Sequence, residues 1–141
     1  MSLPVIAEEE PGSEAEAAVL GGLVAYNAAA TGRGFARDRL LFTARDAEGA
    51  LLGGLKAEIA WDWLMIDIFW LDARARGQGL GTRMLAAAEA AGRARGAIGA
   101  HLYSSTFQAP GFYIRQGYEE IGRLRDRPPG QDRVWLAKRW G

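Results

Sequence analysis

Two hydrophobic periods alternate along the chain, and each change of period marks an element. Ile66-Asp67-Ile68-Phe69-Trp70-Leu71 is dense in β-branched and aromatic residues and predicts a largely buried strand, the end of a stretch from about Trp63 to Leu71. Beyond it, Leu80, Met84, Leu85, Ala88 and Ala91 recur at helical spacing, predicting a helix from Leu80 to Arg95 that packs this face on a sheet and stops at Gly96. Upstream, Val5 to Glu8 reads as a short strand. Ser13 is placed to cap a helix from Glu14 to about Ala30, with Glu16 at the capping-box position and Val19, Leu20, Leu23 and Tyr26 or Asn27 along one face. Leu40 to Arg45 and Leu51 to Trp61 form a hairpin about Asp46-Ala47-Glu48-Gly49, and Asp62 opens the next turn. Downstream come a strand from Ile98 to Tyr103 and a short helix from Pro110 to Gln116, opened by proline and closed by Gly117. Strands Tyr118 to Arg125 and Arg133 to Lys138 then flank Pro128-Pro129-Gly130. An antiparallel hairpin followed by a strand-helix-strand crossover predicts a mixed α/β fold, and no internal repeat or linker divides the chain.

With 141 residues, one domain spanning 1–141 can bury a substantial core. Seventeen basic side chains cancel seventeen acidic ones, so neither nucleic acid nor an anionic membrane surface is an expected partner. The chain has no cysteine, which excludes disulfides, thiolate metal sites and a cysteine acyl-enzyme. The first residues, Met1 to Ala7, run into Glu8-Glu9-Glu10 without the basic start and apolar core of a signal peptide, and no transmembrane stretch follows. A soluble cytoplasmic protein without a metal is the expectation.

Candidate chemistry concentrates between the diagnostic strand and its helix. Gly77, Gly79 and Gly81 let the chain turn while its amides converge, the helix adds its positive dipole end, and Arg76 adds a forked donor, so the segment favours a pyrophosphate. A nucleoside-triphosphate loop would need Gly-Lys-Ser/Thr, whereas Gly81 is followed by Thr82 and Arg83. The dinucleotide fingerprint Gly-x-Gly-x-x-Gly fails too, because its third glycine falls one position early.

Arg76-x-x-Gly79-x-Gly81 matches the arginine/glutamine-x-x-glycine-x-glycine/alanine signature, and Gln108 to Glu119, with Phe112-Tyr113 and Gly117-Tyr118, matches a second frequent signature. Through these two blocks the chain resembles the GNAT superfamily of acyl-CoA-dependent N-acyltransferases, from about Leu51 to about Ile121; the first fifty residues match only in layout. The resemblance implies a mixed central sheet of about six to seven strands flanked by about four helices. It also implies transfer of acetyl from acetyl-CoA to a primary amine of a small molecule in a ternary complex, and it allows a homodimer. A GNAT-like module that binds CoA as a sensor or assembly partner, with weak catalysis, is the alternative.

Acyl transfer from a thioester requires a polarised carbonyl, a deprotonated amine and a protonated leaving thiolate. The resemblance implies that Phe69, Trp70 and Leu71 pair their backbone with the pantetheine arm, the Leu71 amide receiving the acyl carbonyl. It implies that Arg76, Gly77, Gln78, Gly79, Leu80, Gly81 and Thr82 hold the pyrophosphate, that Phe112 touches the cofactor and that Tyr113 is the general acid. Many relatives carry a cofactor-contacting asparagine where this chain has Thr106, whose hydroxyl can still make one hydrogen bond. For the base, Asp67 lies four positions before Leu71 on the same alternating face, where burial would raise its pKa; Glu58 and Asp62 stand behind it. The lone His101, without a neighbouring catalytic pattern, is read as structural. Trp61, Trp63 and Trp70 read as a cluster of packing aromatics about the hairpin leading into the site, or else an aromatic wall toward the acceptor. Arg123, Arg125 and Arg127 read as a solvated face.

Overall fold

The computed structural model describes residues 2–141; Met1, where the segment read for a leader begins, lies outside them. The chain divides into two compact units, the first ending at Ala36 and the second running from Arg37 to Gly141.

The first unit holds helix α1 (Glu14–Thr31). Its start follows the sequence: the Ser13 hydroxyl accepts from the Glu16 amide at 3.4 Å. Glu16 answers one residue further out than a standard capping box, its carboxylate accepting from the Gly12 amide at 3.1 Å. Gly32, in the left-handed region at φ 72°, closes the helix. The expected strand at Val5 to Glu8 is absent, and those residues have no regular structure. Val19, Leu20, Leu23 and Tyr26 are exposed, so this stripe is not a core face within its own unit.

The second unit is a six-stranded mixed sheet in the order β1-β2-β3-β4-β6-β5. Its strands are β1 (Asp38–Arg45), β2 (Leu51–Ala60), β3 (Trp63–Leu71), β4 (Gly99–Ser105), β5 (Glu119–Leu124) and β6 (Arg133–Arg139), with helices α2 (Leu80–Ala94) and α3 (Pro110–Arg115). Leu55 and Leu64 from β2 and β3, Leu85 from α2, Leu102 from β4, and Val134 and Leu136 from β6 are its largest fully buried side chains. Each such burial contributes roughly 1.5–3 kcal/mol. Tyr113 of α3 and Tyr118 join the same cluster. Gly92 lets α2 lie close to β3, since a Cβ there would already touch Leu64 at 3.2 Å. Glu89 of α2 is held by the Tyr118 hydroxyl at 2.7 Å and by Lys138 Nζ at 3.1 Å, which ties the helix to β6.

The turn between β2 and β3 is Trp61-Asp62, with φ of 50° and 67°, the two left-handed residues that a tight twisted hairpin needs. Trp61 therefore belongs to the turn and β2 ends at Ala60. No helix among the described residues is long and apolar enough to cross a membrane.

Candidate active site

The site begins with a failure of pairing. β3 runs parallel to β4, but only Leu64 and Met65 pair with it, opposite Ala100 and His101. β4 continues instead along β6 as far as Ser105 opposite Arg133, so the two parallel strands splay apart after Met65. The cause lies on the other edge of β3. Lys56 opposes Ile68 and Ala57 opposes Ile66, leaving Asp67 as the extra residue of a β-bulge. A bulge bends its strand and increases the local twist, here at the point where β4 is lost as a partner.

The bulge also changes which side chains face which way. Leu64 and Ile66 are buried on the α2 face, and after Asp67 the partly buried positions shift to Phe69 and Leu71, which pack against the core. Strict alternation, which had put Asp67 and Leu71 on one face, is broken between them. Asp67 is exposed rather than buried, and its carboxylate sits 3.4 Å from Lys56 Nζ. The burial expected to tune it is not there. Of its two alternatives, Glu58 forms an ion pair with Arg37 at 3.3 Å and Asp62 lies in the turn at the far end of β3.

The splay opens a cleft of about 810 Å3, lined by Ile66 to Leu71 on one side, by Leu102, Tyr103 and Ser104 on the other, and by Phe107, Gln108, Ala109, Phe112, Tyr113 and Arg115 from the segment after β4. At its mouth the Asp72 amide bonds the Leu52 carbonyl of β2 at 2.8 Å. Because the backbone of a strand alternates sides, the Leu71 amide and carbonyl point the other way, into the cleft. The carbonyl accepts from Arg76 Nε at 3.4 Å. Asp72 caps a short 3₁₀ turn (Ala73–Ala75), accepting from the Arg74 amide at 2.9 Å, and buried Ala75 anchors it, so that Arg76 emerges at the cleft.

The glycine segment divides its labour. Gly77 and Gly79 take φ of 74° and 77°, which side-chain-bearing residues adopt only with strain. Gly81 serves packing: a Cβ there would lie 3.3 Å from Leu71 and 3.5 Å from Phe112. Helix α2 starts at Gly79 with no side-chain cap, and among the described residues the amides from Gly77 to Thr82 have no protein acceptor. Two side chains of the segment are already occupied. Gln78 donates to the Arg74 carbonyl at 3.0 Å, and the Thr82 hydroxyl accepts from Gln116 at 3.2 Å. What remains is a row of backbone donors at the positive end of a fifteen-residue helix beside a guanidinium, an arrangement that binds anions.

Phe112 stacks edge-on against Phe69 at 6.0 Å and against Tyr113 at 5.1 Å, locking α3 to β3. Tyr113 is buried but still lines the cleft, and no hydrogen bond within the described residues engages its hydroxyl. Burial pushes its pKa up to about 12, so it holds its proton throughout the neutral range.

Two sequence expectations move. Thr106 does not line the cleft: its hydroxyl donates to Gln131 at 2.6 Å and accepts from the Asp132 amide at 2.9 Å, fastening the β5–β6 loop. Gln108, not among the expected site residues, does line it, with its side-chain oxygen fixed by the Ser105 amide at 2.7 Å. Trp70 stands apart from Trp63. Trp70 borders the cleft, whereas Trp63 meets His101 at the opposite end of β3, roughly 20 Å away at the usual strand rise. Burial holds the His101 pKa below the ordinary histidine value, and the side chain packs edge-on against Trp63, away from the cleft. Arg123, Arg125 and Arg127 are exposed, as a solvated face requires, and Arg123 binds Glu120 and Asp132 there at 2.8 Å each.

The chain is similar to known proteins in sequence and in fold. Residues 37–120 match the acetyltransferase (GNAT) domain family. The chain is 49% identical over 91 residues to a blasticidin-S acetyltransferase of Streptomyces morookaense, covering 64% of this chain and 67% of that protein. It is 38% identical over 128 residues to an acetyltransferase of Agrobacterium fabrum, covering 91% and 93%. A crystal structure of an acetyltransferase from Bacillus cereus superposes with a TM-score of 0.85 at 27% identity, covering 95% of this chain and 98% of that one. The chain therefore belongs to the GNAT family and is an N-acetyltransferase.

Proposed function

We propose that this chain transfers the acetyl group of acetyl-CoA directly to a primary amine of a small molecule in a ternary complex, in the cytoplasm, with residues 1–141 acting as one domain. The observation that carries this assignment is the convergence on one cleft of three elements: backbone donors at the start of α2, an unpaired β3 edge and a protonated tyrosine. The amides of Gly77 to Thr82 with Arg76 receive the pyrophosphate, and the β3 backbone from Phe69 to Leu71 pairs with the pantetheine amides as an added strand would. The Leu71 amide then donates to the thioester oxygen, where negative charge develops as the amine attacks. Tyr113 gives its proton to the sulfur as the carbon–sulfur bond breaks. Asp67, exposed on the cleft wall, accepts the amine's proton directly or through water. Thr106, in this scheme, supports the loop that carries Gln108 and Ala109 instead of touching the cofactor.

Excess acetyl-CoA is expected to raise the thermal midpoint, by about 2.7 kcal/mol of added stability at a hundredfold excess over Kd. Thiol release in the presence of a broad amine panel is expected for at least one amine. Stabilisation by acetyl-CoA with silence on every amine would point instead to a CoA-binding module, and absence of both effects would overturn the assignment.

Gly53 offers a second check, because β2 touches the cleft wall there. A Cβ at this position would lie 2.6 Å from the Leu71 side chain and 2.8 Å from the Trp70 carbonyl oxygen. Gly53→Ala is expected to displace the β3 edge and lower kcat/KM for acetyl-CoA by about ten- to a hundredfold, measured by thiol release, since displacements near 1 Å cost that much.

A further inference from the structure

Residues from both faces of the sheet line the cleft, and the two faces carry different chemistry. Arg76, Gly81, Phe112 and Tyr113, the residues assigned above to acetyl-CoA, stand with α2 and α3. On the opposite face, cross-strand register aligns Tyr103 with Trp135 and Ser105 with Arg133. The Arg133 guanidinium lies over the Tyr103 ring, 3.8 Å from its centroid, and 5.7 Å from that of Trp135. Tyr103 itself lines the cleft, so the guanidinium is one ring away from its wall.

This arginine has no anionic partner among the described residues. Its Nε is buried and makes no hydrogen bond. The two carboxylates nearest to it in sequence and on the adjoining strand, Asp132 and Glu120, are both bound by Arg123 at 2.8 Å. Aromatic faces hold a guanidinium flat, and with Nε buried the two terminal nitrogens form the edge left to donate. A fork oriented in this way matches a carboxylate, whose two oxygens accept in parallel. Across the mouth, the one carboxylate that lines the cleft among the described residues is Asp67, on the face of Lys56, away from α2. The acceptor-facing side thus carries Asp67, ion-paired with Lys56, on one wall, and Arg133 without a carboxylate partner behind Tyr103 of the other.

We propose that Arg133, stacked on Tyr103, receives a carboxylate of the acceptor, so that the amine acetylated by this chain belongs to a zwitterionic molecule such as an amino acid or a compound containing one. The proposal rests on the cleft being an N-acetylation site and adds the class of acceptor.

The test pairs each of several amino acids with its carboxamide, which keeps the amine and side chain and removes the charge. In the thiol-release assay the wild type is expected to favour the carboxylate members by about thirtyfold or more in kcat/KM. Arg133→Gln is expected to abolish that preference while leaving the carboxamides within about threefold of wild type, as loss of one partner of a charge pair implies. Arg133→Lys, which keeps the charge without the fork, is expected to fall between. A binding measurement independent of turnover accompanies it: with CoA present, N-acetyl amino acids should raise the wild-type thermal midpoint more than their carboxamides, and this difference should vanish in Arg133→Gln. Equal treatment of carboxylate and carboxamide by the wild type, or an equal loss on both in the variant, overturns the role of Arg133. Absence of thiol release with every acceptor overturns the acetylation assignment instead, and the binding comparison still decides Arg133. Should Arg133→Gln fail to fold, the wild-type comparison alone decides.

Discussion

Replacing Tyr113 by phenylalanine is expected to lower kcat by about a hundredfold while leaving KM for acetyl-CoA within a few-fold, the pattern of a group that acts in the transition state. The ring packs between Phe112 and Tyr118, and phenylalanine keeps those contacts, so the thermal midpoint should hardly move. The hydroxyl is what disappears. Burial lifts its pKa from 10.0 to about 12, which has two consequences with opposite signs. For catalysis, the acid stays protonated at neutral pH, so a limb in the neutral range does not come from its ionisation. For stability, the unfolded chain ionises this tyrosine at its ordinary value while the folded chain does not. The stabilising contribution is therefore complete below about pH 10 and is lost as the pH rises toward 12. Wild type should lose stability in that window more steeply than Tyr113→Phe, read from thermal midpoints across the pH series. Turnover of the variant equal to wild type over the whole pH range would remove Tyr113 from the mechanism.

Lys138→Met is expected to destabilise the protein by about 3 kcal/mol, at the lower end of what breaking a buried pair costs. Lys138 Nζ binds the Glu89 carboxylate at 3.1 Å and the Gln116 carbonyl at 3.0 Å, and Tyr118 donates to the same carboxylate at 2.7 Å. With side-chain exposures of 27% and 17%, the lysine and glutamate are shielded enough for the loss to be felt. Methionine restores most of the packing but leaves Glu89 with a single donor. For a domain of this length the thermal midpoint should fall by roughly 10 °C. The double variant Lys138→Met with Glu89→Leu should recover much of the loss, because it removes the orphaned charge; a double variant no better than the single one would refute this account.

Much of this architecture was legible in the linear sequence. The change of period from the Ile66–Leu71 strand to the Leu80–Arg95 helix was correct to one residue at the helix end, and Ser13, Pro110 and Gly117 marked boundaries found in the structure. Capping, turn formation and amphipathic burial act within a few residues, so a linear pattern records them. The glycine segment was legible for the same reason: positive φ at Gly77 and Gly79 and an uncapped helix start are local facts.

The misplacements share another origin. Strict alternation from Leu71 predicts a buried face for Asp67, but one extra residue relative to β2 shifts the phase, and the shift is visible only when the partner strand is in place. Thr106 had its hydroxyl taken by Gln131 and Asp132, residues 25 and 26 positions later. Glu89 found Lys138 at a separation of 49. Arg133 gave no local signal at all, and its position over Tyr103 follows from a strand pairing across the crossover.

The sequence by itself determined the order and kind of the elements from α1 onward, the glycine turn before an uncapped helix start, the family and the place of Tyr113 on α3. Only the tertiary structure decided which polar groups were already satisfied, where β3 parts from β4, and which charged side chains stay without a carboxylate partner among the described residues. The physical reason is that apolar periodicity and backbone preference are properties of neighbouring residues, whereas the partner of a polar side chain is whichever group the fold brings within about 3 Å of it.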